Sequence, residues 1–168
     1  MGFPTPSGKV EIYSSIMEKG DYDPLPRASL PEALGEDYPL LMTCAKPKDF
    51  FHSGYRNLES LRKRHGDPSI RIHPQAASKE LISNGDTVAI VSPHGQIYLK
   101  AVLTESLHPK VVRADYGWWF PEKGENELFA WRESNINMLT SGEPPYDPVL
   151  GSTRLRGIPC RIKKIEEG

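Results

Sequence analysis

Asn84-Gly85-Asp86-Thr87-Val88-Ala89-Ile90-Val91-Ser92-Pro93-His94-Gly95-Gln96-Ile97-Tyr98-Leu99-Lys100-Ala101-Val102-Leu103-Thr104 decides the fold class. Asn-Gly-Asp is a turn signal, because each of these residues tolerates or stabilises backbone geometry that ends regular structure. Asp86 to Ser92 then reads as a strand, with Val88 and Ile90 on one face and Ala89 and Val91 on the other. Both faces are apolar, so the strand is expected to be covered on both sides. Pro93-His94-Gly95 turns the chain. In Gln96 to Thr104, Ile97, Leu99, Ala101 and Leu103 alternate with Gln96, Tyr98 and Lys100, the period of a half-buried strand. Strand, tight turn, strand is a hairpin.

Upstream, Pro74 opens a short helix through Ala76, Ala77 and Leu81, and Ile70-Arg71-Ile72 is a short strand before it. Asn57 to His65 reads as a helix with Asn57 as N-cap, Leu58 and Leu61 as an apolar stripe and Gly66 as its stop. Leu40-Leu41-Met42-Thr43-Cys44 is a buried strand ended before Pro47. Downstream, Val111 to Ala114 is another strand, and Cys160 to Ile165 is an amphipathic one. Many short strands, few short helices and plentiful turns indicate a mainly β fold, a small barrel with helical insertions. Residues 1–37 read as an extended arm and 38–168 as the barrel. Asp23-Pro24-Leu25-Pro26 and Leu30-Pro31 interrupt any regular element in the arm, which suits it to lie across another surface.

Composition narrows the function. The chain has 168 residues, enough for one domain, with 21 Lys+Arg against 22 Asp+Glu and a net charge of -1. That balance excludes nonspecific nucleic-acid binding, which needs clustered positive excess, and leaves room for a local basic pocket for one phosphorylated ligand. No apolar run approaches the ~20 residues of a membrane span, and no signal peptide opens the chain. Cytoplasm and periplasm both remain open, any targeting signal lying outside this chain. Cys44 and Cys160 are too few and too far apart for a metal cluster, and read as buried free thiols. No nucleophile–base pairing, metal spacing or glycine-rich phosphate loop is evident.

The densest stretch is Asp115-Tyr116-Gly117-Trp118-Trp119-Phe120-Pro121, followed by Asn135-Ile136-Asn137-Met138-Leu139-Thr140. Aromatics and amides without periodicity must be buried against a core, a partner domain or a ligand. Together with Thr43-Cys44-Ala45-Lys46, Phe51-His52-Ser53, Ile72-His73-Pro74 and Asn84-Gly85-Asp86, and with the closing Cys160-Arg161-Ile162-Lys163, this order resembles one family. It is similar to the C-terminal, molybdopterin guanine dinucleotide-binding domain of the dimethyl sulfoxide reductase family of molybdenum and tungsten enzymes, and within it to the acetylene hydratase and anaerobic dehydrogenase branch. The resemblance covers nearly the whole chain.

The resemblance implies a double-psi β-barrel, one lobe of a larger oxidoreductase, with an arm arriving from the missing domains. The expected partners are those domains, in the same chain or as a separate subunit. It implies cofactor contacts at Thr43, Cys44, Lys46, His52, Ser53, Tyr116, Trp119, Asn137, Thr140 and Arg161, with Arg56 as a further cation. No catalytic residue or metal ligand is expected in this chain, so it is not expected to turn over alone. Many members have Thr-Gly-Arg where this chain has Thr43-Cys44-Ala45-Lys46. An ammonium acts there as a point charge in place of a two-pronged guanidinium. Each residue also has a plainer reading: a strand end, a solvated lysine, a turn-capping Asn or an aromatic roof over the core. Two alternatives stay open, a separate binding subunit and an unrelated double-psi barrel of the aspartate-decarboxylase or AAA-adaptor kind.

Overall fold

Alternation of inward apolar and outward polar residues closes six strands into one barrel. The computed structural model describes residues 2–25, 27, 35–144, 146–147, 149–153 and 155–166. The strands are β1 (Leu40–Ala45), β2 (Ser69–Ile72), β3 (Thr87–Ser92), β4 (Gly95–Leu103), β5 (Val111–Asp115) and β6 (Ile158–Lys164). Around the barrel their order is β1-β5-β2-β4-β3-β6. β1 with β5 and β2 with β4 are parallel, and the other neighbours are antiparallel. Parallel partners cannot be joined by hairpins and need crossing connections. Two such crossings in a closed six-stranded barrel make the double-psi β-barrel that the resemblance implies.

The expected hairpin is present, with Ser92 paired to Gly95 across Pro93-His94. Its inward residues Val88, Ile90, Ile97, Leu99 and Ala101 join Met42, Ile70, Ile72, Val112, Ala114 and Ile162 in a single core. Burying each of the larger side chains contributes about 1.5–3 kcal/mol. Both cysteines are free, as the sequence indicates, but only Cys160 is buried; Cys44 is half-buried.

Four short helices are α1 (Ser15–Lys19), α2 (Glu59–His65), α3 (Pro74–Lys79) and α4 (Trp131–Ser134). Pro74 sits in the first turn of α3, and the His73 ring accepts from the Gln75 N–H at 3.1 Å, so His73 is the helix-entry residue. Leu81 was expected on this helix. Instead it stands beyond it with φ of 54° and 81% exposed, while Ile82 takes the core position. In α2 the N-cap is Leu58 with no side-chain cap, not Asn57. No residue of α2 is buried and Leu58 is exposed, so the expected stripe meets no core. Basic side chains crowd its last turn, where the helix dipole favours them, and Gly66 ends it at φ 82°.

In the arm, Ser14 caps α1 by accepting from Met17 N, and Ser14 N reaches Pro24 O at 2.9 Å. Val10, Ile12 and Ile16 are exposed. Pro26, Leu30 and Pro31 lie outside the described residues. Among the described residues no helix is long and apolar enough to cross a membrane.

Candidate functional site

Because β1 and β5 are parallel, both finish at the same end of the barrel, and Tyr116 N continues their ladder to Ala45 O at 3.1 Å. β2 runs opposite to β5 and β6 opposite to β1, so both begin there. β3, antiparallel to β6, finishes there and β4 starts there. The loops after β1 and β5 therefore share this end with the β3–β4 turn.

Arg56 ties the two loops together. Its side chain is 0% exposed, with the guanidinium carbon 3.9 Å from the Phe50 ring centre and 4.2 Å from that of Trp118. Its Nη2 donates to the carbonyls of Tyr116 at 3.0 Å, His52 at 3.3 Å and Gly117 at 3.5 Å. Burial pulls its pKa down to about 10, against the upward pull of the Asp115 charge. The expectation of a ligand-facing cation is corrected here: Arg56 is enclosed by protein and holds loop backbone. Sequence reading misses this because the two rings that sandwich it stand far apart in the chain.

Gly117 brings the loops into contact. Its φ of 65° suits glycine, and a Cβ there would stand 3.4 Å from Ser53 N and 3.5 Å from the His52 carbonyl carbon. Trp119 Nε1 donates to Ser53 O at 2.7 Å, and the rings of His52 and Tyr116 meet edge-on at 5.8 Å. His52, Ser53, Tyr116 and Trp119 are thus one cluster. Trp118 is fully buried behind it, against Phe50 and His65. Lys46 is exposed where β1 ends, on a groove of about 810 Å³. Thr43 and Cys44 alternate: buried Met42 points inward, so Thr43 faces out beside Arg113, while Cys44 packs against the core.

His65 also joins the loops, which sequence reasoning did not foresee. Its Nδ1 is 3.4 Å from Asp49 Oδ2 and its Nε2 is 3.2 Å from Asp115 Oδ2. Ser69 donates to the same Asp115 oxygen from N at 2.8 Å and from Oγ at 3.0 Å. The serine hydroxyl is spent on the carboxylate, not the imidazole, so this is a clasp and not a nucleophile–base pair. Nothing in the sequence marks it, since the four residues come from a loop, a helix and two different strands.

The second wall is the segment from α4 to Thr140. Its 3-10 turn, Ile136–Leu139, buries Ile136 and Leu139. Ser92 Oγ donates to Leu139 O at 3.0 Å. A Cβ on Gly95 would lie 2.5 Å from Met138 O, so only glycine permits this approach. Asn135 Oδ1 accepts from Asn137 N at 3.0 Å, which leaves the Asn137 side chain exposed. Thr140 Oγ1 donates to Asn137 O at 3.0 Å. Leu128, Phe129 and Ala130 hold φ of 50°, 54° and 49°, a left-handed turn that packs Phe129 on Trp119. Asn137 and Thr140 therefore share the barrel end with His52 and Ser53.

Arg161 does not. It lines a cleft of about 460 Å³ with Leu40, His108 and Lys110, at the end where β1 and β5 begin. Its guanidinium lies 5.8 Å from the Tyr38 ring. Strand direction separates it from the others: Cys160 pairs with Leu40 at the start of β1, so on this side β6 has run away from the loops. Among the described residues no group of His, Cys, Asp and Glu has the arrangement to hold a metal ion.

A family model described as "Molydopterin dinucleotide binding domain" matches residues 40–159. Acetylene hydratase of Syntrophotalea acetylenica is 32% identical over 170 residues, 94% of this chain and 23% of that protein. Trimethylamine-N-oxide reductase 1 of Escherichia coli K12 is 32% identical over 149 residues, 81% of this chain and 18% of that protein. The solved structure of acetylene hydratase from Pelobacter acetylenicus matches with a TM-score of 0.84 at 30% identity, over 98% of this chain and 24% of that one. The chain spans less than a quarter of the length of these relatives.

Proposed function

Since the chain belongs to the molydopterin dinucleotide binding domain family, we propose that it holds a molybdopterin guanine dinucleotide at the barrel end where β1 and β5 finish. The chain serves as the C-terminal domain of a larger molybdenum- or tungsten-dependent enzyme. The observation that carries this reading is the convergence of His52, Ser53, Tyr116 and Trp119, locked by Arg56 and closed on the far side by Asn137.

The donor set fits such a ligand. The Ser53 hydroxyl and the Asn137 amide are exposed and make no hydrogen bond among the described residues. A hydroxyl and the Lys46 ammonium suit pyrophosphate oxygens; an amide, both donor and acceptor, suits the mixed edge of a pterin. The His52 ring adds a donor. Trp119 has spent its N–H on Ser53 and offers a ring face, as does Tyr116. Thr140 has spent its proton on Asn137 O and keeps an acceptor. Thr43 and Cys44 shape the strand end beneath Lys46. The metal held by the pterin supplies the redox or hydration chemistry. The residues of this chain bind, orient and exclude water, and carry no turnover alone. Arg161, at the far end, is assigned no contact in this reading.

Residues 1–37 are read as the arm from the enzyme's other domains, and its exposed Val10, Ile12 and Ile16 as the face that those domains cover. Residues 38–168 form the cofactor-binding barrel. The test is cofactor occupancy of the parent enzyme purified with His52→Ala or Asn137→Ala. Occupancy is expected to fall about tenfold, in line with one lost hydrogen bond to a charged or fully desolvated group. Full occupancy in both variants overturns the reading.

A further inference from the structure

The outer wall of the barrel carries an arginine pair that forms no ion pair among the described residues. In the antiparallel register of β2 and β5, Arg71 stands directly opposite Arg113. Alternation decides where they point: Ile70, Ile72, Val112 and Ala114 fill the core, so Arg71 and Arg113 share the outer face. On the next strand Leu99 and Ala101 point inward, which places Lys100 on the same face. Like charges directly opposite in an antiparallel pair repel. Several other cations of the chain do meet carboxylates, as in Arg62 with Glu122, Lys63 with Glu59 and Lys164 with Asp86.

Neither Arg71 nor Arg113 has a hydrogen bond or ion pair among the described residues, though both are half-buried. They line the groove of about 810 Å³, with Lys46 and Lys48 at one edge, also without partners. The acids of the groove do not cancel this charge. Asp49 and Asp115 face His65 at 3.4 and 3.2 Å, Arg64 stands 3.8 Å from Asp49, and Asp67 remains. Lys100 donates to Thr87 Oγ1 at 2.8 Å. On a chain of net charge -1, such an excess in one concave place is local and specific.

We propose that this groove is a binding site for a phosphate- or pyrophosphate-bearing small molecule, with Arg71 and Arg113 forking onto its oxyanion. Two guanidinium groups side by side match a dianion or higher charge, and their planar N–H pairs match phosphate oxygens. A monoanionic carboxylate carries too little charge to relieve the pair. The site shares only Lys46 with the pterin reading and stands independently of it.

The experiment is calorimetric titration of the full chain with inorganic pyrophosphate at low salt, against sodium chloride of equal ionic strength. Pyrophosphate is expected to bind and to raise Tm. Arg71→Gln and Arg113→Gln are each expected to weaken binding by about tenfold or more, since a charge-assisted bond is lost. Each is also expected to fold with an unchanged or higher Tm without ligand, because the repulsion is gone. Lys79→Gln, at an exposed lysine outside the groove and outside the loop cluster, is expected to leave pyrophosphate binding unchanged. The proposal is overturned if pyrophosphate acts no differently from chloride, or if the double Gln variant binds it equally well. It is also overturned if His52→Ala abolishes binding, which places the anion at the loops, or if the groove takes an acidic peptide but no pyrophosphate.

Discussion

Replacing Arg56 tests how the site is held. The 3.0 Å bond from Nη2 to Tyr116 O is charge-assisted and worth about 1.5–3 kcal/mol; those to His52 and Gly117 are longer and add little. Contact with the Phe50 and Trp118 faces adds about 2 kcal/mol each in a desolvated slot. Against this stand a buried charge and two polar atoms, Nε and Nη1, with no partner in the described structure. Such orphaned groups cost about 1–3 kcal/mol each, so the gains and costs nearly cancel. Arg56→Ala removes both and also leaves a hole between two rings. It is therefore expected to cost about 3 kcal/mol in urea unfolding. Arg56→Met refills the slot with a polarizable chain and is expected to stay within about 1.5 kcal/mol of wild type. Both variants free the carbonyls of His52 and Tyr116, so amide exchange in the two loops is expected to quicken in both. The pH dependence has a definite sign. A cation whose pKa burial lowers to about 10 destabilises the fold below pH 10, and that penalty fades as pH rises above 10. Wild type should therefore gain stability relative to Arg56→Met across that window. If Arg56→Ala costs under about 1 kcal/mol, or if loop exchange is unchanged in either variant, Arg56 does not clamp the loops.

Gly95→Ala places a methyl 2.5 Å from Met138 O, against backbone that cannot rotate away, and is expected to cost about 1–3 kcal/mol and to displace Asn137. Thermal unfolding and cofactor occupancy of the parent enzyme measure the two effects; an unchanged Tm refutes the close approach. Burial pushes the Cys160 thiol up to about 12 from an ordinary 9.0, so its neutral form is favoured in the fold. Its contribution to stability is expected to be full below pH 9 and lost as pH rises toward 12, a slope that Cys160→Ala removes. Under native conditions iodoacetamide should modify half-buried Cys44 and reach Cys160 only on unfolding; equal labelling refutes this.

The hairpin was legible because its evidence is local: an Asn-Gly-Asp turn, a two-residue loop, and alternation that permits one register. The same holds for β1 and for Pro74 at the start of α3. The reading failed where a local pattern lacked a tertiary counterpart. Leu58 and Leu61 have helical spacing, but no core lies opposite them. Asn57 is a good cap by type, yet the cap position falls one residue later, at Leu58, and the helix begins at Glu59. Arg56 reads as a ligand-facing cation and His65 as an ordinary helix residue, because Tyr116, Trp118 and Asp115 reach them from a distant strand and loop.

By itself the sequence determined a closed β architecture, a chain with no charge excess, and a recognisable order of motifs, because periodicity and turn chemistry act between near neighbours. Only the tertiary structure decided which motifs meet. Parallel pairing of β1 with β5 set His52 and Ser53 against Tyr116 and Trp119, while the antiparallel run of β6 carried Arg161 to the other end. The β2–β5 register set Arg71 against Arg113. These are consequences of strand direction and register, which arise from packing among distant residues.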